Sequence, residues 1–177
     1  MNILLCGAPL AGKSFFGRLV AQQLNWTFID TDQEIEKYYQ TYLGQTETCR
    51  NIFQKHGALF FRQFEHQTIQ SQLNQQKQVI ALGGGALTFP PNLSLIKEIG
   101  SLIYLEVETE VLVERLLNKL ELPAYLNPET PVESFKEIVE QRKPFYEKYS
   151  DVKLSIKGLS IEEVVMSICT NIQNHNR

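Results

Sequence analysis

At 177 residues the chain is long enough for one well-buried domain and short for two, and 43% apolar residues suit a globular core. A formal charge of −3 with no run of Lys or Arg argues against a nucleic-acid surface, so an anionic ligand has to be held by local cations. No apolar stretch approaches the roughly 18 residues of a membrane span, and three scattered cysteines offer neither metal-ligand spacing nor a disulfide framework; a cytoplasmic protein with reduced thiols is expected, with no membrane partner.

Asn2 to Cys6 is a short apolar run suited to a buried parallel strand, and Phe15 to Leu24 reads as a helix. Between them Gly7-Ala8-Pro9-Leu10-Ala11-Gly12-Lys13-Ser14 fits the phosphate-loop pattern G-x-x-x-x-G-K-[ST] at every specified position. The spacing has a chemical reason. Gly7 and Gly12 let the backbone turn and aim N–H groups at phosphates beside the positive end of the helix, Lys13 brings a mobile charge to the β- and γ-phosphates, and Ser14 offers a hydroxyl to Mg²⁺.

Trp26 to Ile29 is a second strand candidate ending in Asp30-Thr31-Asp32, where Thr31 and Glu34 have capping-box spacing for a helix through Tyr39. Two carboxylates thus fall at the C-terminal edge of a strand, where open α/β sheets bind ligands. A first-turn acid is also favoured by the helix dipole alone, and Asp30 also suits a plain turn. Beside a phosphate loop that needs a metal partner and a hydroxyl-positioning group, both become candidates for function.

From Thr46 to Gln76 the apolar spacing gives a short helix, a break at His56-Gly57 and a longer helix. Arg62, near the start of the longer helix, has the wrong sign for a dipole role; Glu65, three residues on, suits a surface pair with it. Gln78 to Leu82 is the third strand and runs into Gly83-Gly84-Gly85-Ala86, a triple glycine that points to close backbone approach. Pro90 or Pro91 opens a helix through Glu98, Leu102 to Leu105 is the fourth strand, and Thr109 to Leu117 is a helix carrying Arg115. Leu120 to Pro128 reads as an exposed flap. Thr130-Pro131-Val132-Glu133 combines a capping box with a first-turn Pro and starts a helix to about Tyr149 that contains Arg142 and Pro144. Val152 to Ile156 is the fifth strand, Ser160 to Glu163 caps a last helix, and the tail after Asn171 is expected to fray. Strands alternating with helices make an α/β protein with helices on both faces of a parallel sheet.

Together these residues resemble the shikimate kinase family over nearly the whole chain. The carriers are Gly7 to Ser14, Phe28-Ile29-Asp30-Thr31-Asp32, Phe61-Arg62-Gln63-Phe64-Glu65, Gly83-Gly84-Gly85-Ala86 and Arg142-Lys143-Pro144-Phe145-Tyr146. The resemblance implies a three-layer αβα fold of phosphate-loop kinase type, its five parallel strands in the order 2-3-1-4-5, acting as one kinase domain over 1–177. A substrate-binding helical segment at about 32–62 and a mobile lid at about 119–130 go with it. It further implies transfer of the γ-phosphoryl of ATP to the 3-hydroxyl of shikimate, by a monomer. Asp32 would orient or deprotonate that hydroxyl, Arg62 and Arg142 would grip the carboxylate, Gly83, Gly84 and Gly85 would face the ring, and Asp30 would hold Mg²⁺ through water. The nucleotide would lie on Gly7 to Ser14, Phe15 and Arg115.

One position departs from the family pattern, whose lid carries Arg-Pro-Leu-Leu. Here the stretch is Leu122-Pro123-Ala124-Tyr125, without the arginine. Lys119 is the nearest cation, either as a point charge for the phosphates or as a solvated helix-end lysine. Two other functions fit parts of the pattern: a gluconate-type sugar-acid kinase, and a nucleotide-binding module whose transfer activity has decayed. Arg62, Gly83 to Gly85 and Arg142 acting together favour shikimate over gluconate, and intact Lys13, Ser14, Asp30 and Asp32 speak against decay.

Overall fold

The computed structural model describes residues 1–123 and 125–175, with side chains described through Asn171. Ala124, within the expected lid, and Asn176 and Arg177, within the expected frayed tail, lie outside the described residues. The first half of the chain gives β1 (Ile3–Cys6), α1 (Lys13–Leu24), β2 (Thr27–Asp30), α2 (Thr31–Leu43), α3 (Cys49–Gln70) and β3 (Gln78–Ala81). After a 3₁₀ turn at Ala86–Thr88 come α4 (Pro90–Ile99), β4 (Ser101–Glu106), α5 (Thr109–Leu117), α6 (Pro131–Tyr149), β5 (Val152–Ser155) and α7 (Ile161–His175).

The five strands form one parallel sheet in the order β2-β3-β1-β4-β5, as the resemblance implied. Strand alternation splits the core into two layers. From β1, Ile3 and Leu5 pack with Phe16, Val20 and Ala21 of α1 and Val164 and Ile168 of α7; Leu4 and Cys6 face Ile96 and Ile99 of α4, Leu112 and Leu116 of α5, and Phe135 and Val139 of α6. A third cluster, Ile35, Tyr39, Ile52, Phe61 and Phe64, joins α2 to α3 beyond the sheet edge. Because every strand runs the same way, the loops after β1, β2 and β3 emerge along one edge.

Several boundaries follow local chemistry that the sequence pattern missed. Thr31 is not the cap of α2: Asp30 is, its carboxylate accepting the Asp32 N–H at 3.1 Å. That helix runs past Tyr39 to Leu43, where Gly44 ends it in the left-handed region. Thr130 makes no side-chain cap on α6; one residue into the next turn, the Ser134 hydroxyl accepts the Asn127 N–H at 3.1 Å. The box at Ser160 and Glu163 does form, with reciprocal bonds of 2.7 and 3.2 Å. The expected break falls at Gly57 (φ 82°, ψ 176°), which splits α3. Backbone helix in α7 continues four residues past Asn171, to His175. All three cysteines are free thiols.

Candidate functional site

β1 feeds directly into the phosphate loop. Gly7 takes φ 142°, and a β-carbon there would lie 2.7 Å from the Leu105 carbonyl oxygen, so the turn admits only glycine. Leu10 holds a left-handed φ of 68°, costly for a branched side chain, and its carbonyl accepts a 2.8 Å bond from Arg115 Nη1. Arg115 thus clamps the strained residue and sets its own charge against the loop. α1 starts on Gly12 with no side-chain cap, so the first-turn N–H groups of Lys13, Ser14 and Phe15 are left for an anion. Lys13 is buried, and its Nζ donates to the carbonyls of Gly7 (3.0 Å) and Ala8 (2.8 Å). Burial lowers its ammonium to about 8, opposed by the negative charges of Asp32 and Asp30. The Phe15 ring is 52% exposed and edge-on to Phe16.

The end of β2 sits beside this loop. Ser14 donates its hydroxyl to Asp30 Oδ2 at 2.6 Å, which joins the first turn of α1 to the cap of α2. Asp32, one residue into α2, is exposed to solvent yet has protein packed closely around it. That surrounding protein raises its carboxyl above the ordinary carboxylate range and Asp30 adds to the rise, against the pull of Lys13 and Arg62.

The triple glycine lies between the loop and a pair of charged side chains. β-Carbons added there would meet different partners: at Gly84, Pro9 Cδ of the phosphate loop at 3.0 Å; at Gly83, Glu65 Oε1 at 2.8 Å and Asp32 Oδ1 at 3.1 Å; at Gly85, Arg62 Nη2 at 2.0 Å. Thr31 holds this loop to the sheet, donating to Ala81 O (3.1 Å) and accepting from the Gly83 N–H (2.9 Å). From the other side the Tyr146 hydroxyl donates to Gly84 O, and Arg142 stands one helical turn before Tyr146 on α6. The structure therefore brings Lys13, Ser14, Asp30, Asp32, Arg62, Arg142 and the three glycines to one stretch of the sheet edge.

Three residues of this neighbourhood lie inside the matched segments yet receive no site role from the sequence pattern. Glu65 is not a surface partner: it is 0% exposed, bonded by Arg62 Nη1 at 2.6 Å, and its Oε1 has no hydrogen-bond partner among the described residues. Burial raises its carboxyl, opposed by Arg62. The available signal was periodicity, since Phe61, Phe64, Glu65 and Thr68 form one buried i, i+3, i+4, i+7 face. Thr31 and Tyr146 carried no such signal, because their partners are 50 or more residues away in sequence.

The segment after α5 is less tied to the loop. Lys119 is exposed in the turn that follows α5, its backbone N–H bonded to Leu116 O. The cation that meets the missing-arginine position comes instead from α3: Arg50 Nη1 donates to the Leu122 carbonyl and lies 3.5 Å from Glu121 Oε2. Arg50, Gln54, Leu120 to Pro123, Leu126 and Pro128 line a cleft of about 480 Å³.

A parallel 2-3-1-4-5 sheet whose central strand enters a complete phosphate loop defines a phosphate-loop kinase fold. The sequence profile described as shikimate kinase matches residues 9–173, and the chain belongs to the shikimate kinase family. A shikimate kinase of Alkaliphilus oremlandii is 32% identical, with 97% of this chain and 98% of that protein covered. The solved shikimate kinase from Acinetobacter baumannii in complex with shikimate superposes with TM-score 0.86 at 29% identity, covering 98% of this chain and 93% of that one. A gluconokinase from Sinorhizobium meliloti shares the fold alone, at TM-score 0.58 and 17% identity over 98% of this chain and 91% of that one.

Proposed function

We propose that this chain transfers the γ-phosphoryl group of ATP to the 3-hydroxyl of shikimate, giving shikimate 3-phosphate on the route to aromatic amino acids. The observation that carries the reading is the triple glycine, wedged between Pro9 of the phosphate loop and the Asp32, Arg62 and Glu65 side chains. It supports an acceptor pocket next to the phosphate loop, with Asp32 as its base and Arg62 and Arg142 as its cations.

The nucleotide phosphates would lie on the Gly7 to Ser14 backbone, with Lys13 leaving the Gly7 and Ala8 carbonyls to meet them, and with Phe15, Arg115 and, on lid closure, Lys119 toward the nucleotide. Arg62 and Arg142 hold the acceptor carboxylate through planar two-donor contacts, which a compact ammonium could not reproduce. Gly83, Gly84 and Gly85 let the ring approach the backbone, and the buried Glu65 carboxylate holds the Arg62 guanidinium in place behind them. Asp32 orients the attacking hydroxyl and takes its proton. The segment of about 32–62 is the acceptor-binding part and about 119–130 the lid, within one kinase domain.

The paired oxygens of Ser14 and Asp30 fit Mg²⁺, a hard cation that takes few protein ligands and keeps waters and phosphates for the rest. Ser14 would hold the metal directly and Asp30 through water, and the metal would supply neutralisation of the phosphate charge. We read the enzyme as a cytoplasmic monomer with no nucleic-acid or membrane partner; among the described residues no helix is long and apolar enough to cross a membrane.

The test is ADP release with ATP, Mg²⁺ and either shikimate or gluconate, against a no-acceptor control. Shikimate-dependent release that stops on chelation of the metal is the expected result. Release with gluconate alone would move the assignment to a sugar-acid kinase, and nucleotide binding without acceptor-dependent release would favour a decayed binding module.

A glycine variant checks the pocket. Gly85 has φ −105°, which alanine accepts, yet its β-carbon would displace the Arg62 guanidinium. Gly85→Ala should raise KM for shikimate about 10- to 100-fold, the worth of a charged hydrogen bond. Because the displaced guanidinium also loosens its ion pair with the buried Glu65, the thermal midpoint should fall as well, by about 2–4 °C for each kcal/mol lost. An unchanged KM in steady-state kinetics would remove Arg62 from the carboxylate site.

A further inference from the structure

The lid of this chain places an aromatic ring where its partner is an arginine of the acceptor pocket. Arg142 Cζ lies 5.5 Å from the centre of the Tyr125 ring, within cation–π range. Tyr125 sits inside a turn closed by the Leu126 N–H on Pro123 O at 3.1 Å, and the Leu126 side chain is buried in the sheet core. Arg50 holds the same segment from α3 through the Leu122 carbonyl. The turn is therefore fastened at both ends, with Tyr125 directed inward. Its hydroxyl, pushed up to about 12 by burial, feels the charges of Arg142, Asp32 and Arg62, which are the acceptor-pocket charges.

Resting on the shikimate reading above, we infer that Tyr125 is a positioning residue: its ring steadies the Arg142 guanidinium so that the guanidinium's edge donors meet the acceptor carboxylate. The chemistry separates the two contacts. A guanidinium attracts an aromatic ring through its charge and flat face, while its five N–H donors lie in its plane and stay available for a two-point carboxylate grip. Freezing one long side chain before the acceptor arrives also removes part of the ordering cost of binding. The result is a lid that senses the acceptor's charge through Arg142 and closes most tightly over an acid.

Three variants test this, with wild type assayed on shikimate first. Tyr125→Phe keeps the ring, Tyr125→Leu keeps apolar packing without a π face, and Tyr125→Ala removes both. The expected result is a KM for shikimate raised about 5- to 20-fold in the Leu and Ala variants and within about twofold of wild type in Phe, with KM for ATP unchanged. With the methyl ester of shikimate as acceptor, the difference between wild type and Tyr125→Leu should vanish, since no carboxylate engages Arg142. A Leu variant equal to wild type on shikimate, a Phe variant as impaired as Leu, or a defect that persists with the ester would each overturn the inference. Should Tyr125→Ala fold poorly, the Leu and Phe variants still decide. A wild type inactive on shikimate would instead reject the functional reading itself.

Discussion

Lys13→Ala should lower kcat by on the order of 10²–10⁴ while leaving the fold intact, because a single preorganised charge on transferring phosphates is worth that much in a closed site. The structure explains why the fold should survive. The ammonium is buried on two backbone carbonyls of its own loop, at 3.0 and 2.8 Å, and burial already disfavours its charge, lowering it to about 8. Removing it relieves that cost of burying a charge, which offsets the two carbonyls left without their donor. The same shift gives a second readout with a definite sign. Below about 8 the free enzyme holds Lys13 charged, and above it the amine is increasingly neutral; incoming phosphates favour the charged form and raise its pKa again. Binding of ADP without divalent metal should therefore take up a proton near and above pH 8, and affinity should fall as pH rises through that region. Calorimetry in buffers of different ionisation enthalpy measures the uptake. It should disappear in Lys13→Ala, and uptake that persists in the variant would assign the proton to another group.

The parts of this site that were legible in the sequence are those whose chemistry is local. The phosphate loop needs glycine, lysine and a hydroxyl at fixed spacing within eight residues, and Asp30 and Asp32 follow a strand end, so pattern and geometry coincide. The proposed acceptor pocket is different in kind. Arg62 and Arg142 lie 80 positions apart, and the residues that tie them in, Thr31, Glu65 and Tyr146, act through side-chain contacts to a glycine loop that no single segment encodes. Glu65 shows how a local rule misleads. An i, i+3 Arg–Glu pair is ordinary on a solvated helix face, but this pair lies on the face shared with Phe61, Phe64 and Thr68, and the carboxylate is fully buried.

Capping shows the same competition on a smaller scale. Thr31 and Thr130 each had a capping-box glutamate at the right distance, and neither caps. The hydroxyl of Thr31 is bound to the β3 end and the glycine loop, which gives a buried carbonyl and N–H their partners, and Asp30 takes over the cap with a stronger charged acceptor. Ser160 and Glu163 have no such rival, and the box forms. The contact from Arg50 to the segment after α5 was beyond sequence reading altogether, spanning 72 positions from an exposed helix start to a backbone carbonyl.

Asp32→Asn should cost about 10²–10³ in kcat with KM for shikimate changed by less than about tenfold, the pattern of a group that matters more in the transition state than in the ground state. The amide keeps the size of the carboxylate and can still accept a hydroxyl hydrogen bond through its oxygen, so the acceptor should bind. It cannot take the proton. Because the side chain does not carry the cap of α2, which belongs to Asp30, the substitution spares the helix start. It also removes a negative charge from beside Lys13, Arg62 and Asp30, easing the repulsion between the two carboxylates and weakening the support for both cations. Steady-state kinetics with shikimate and with ATP separate these effects. A fall in kcat at nearly constant KM identifies Asp32 as the group acting on the reacting hydroxyl. A large rise in KM for shikimate at unchanged kcat would reduce it to a binding contact, and would leave alignment of the hydroxyl to the phosphates and the pocket backbone.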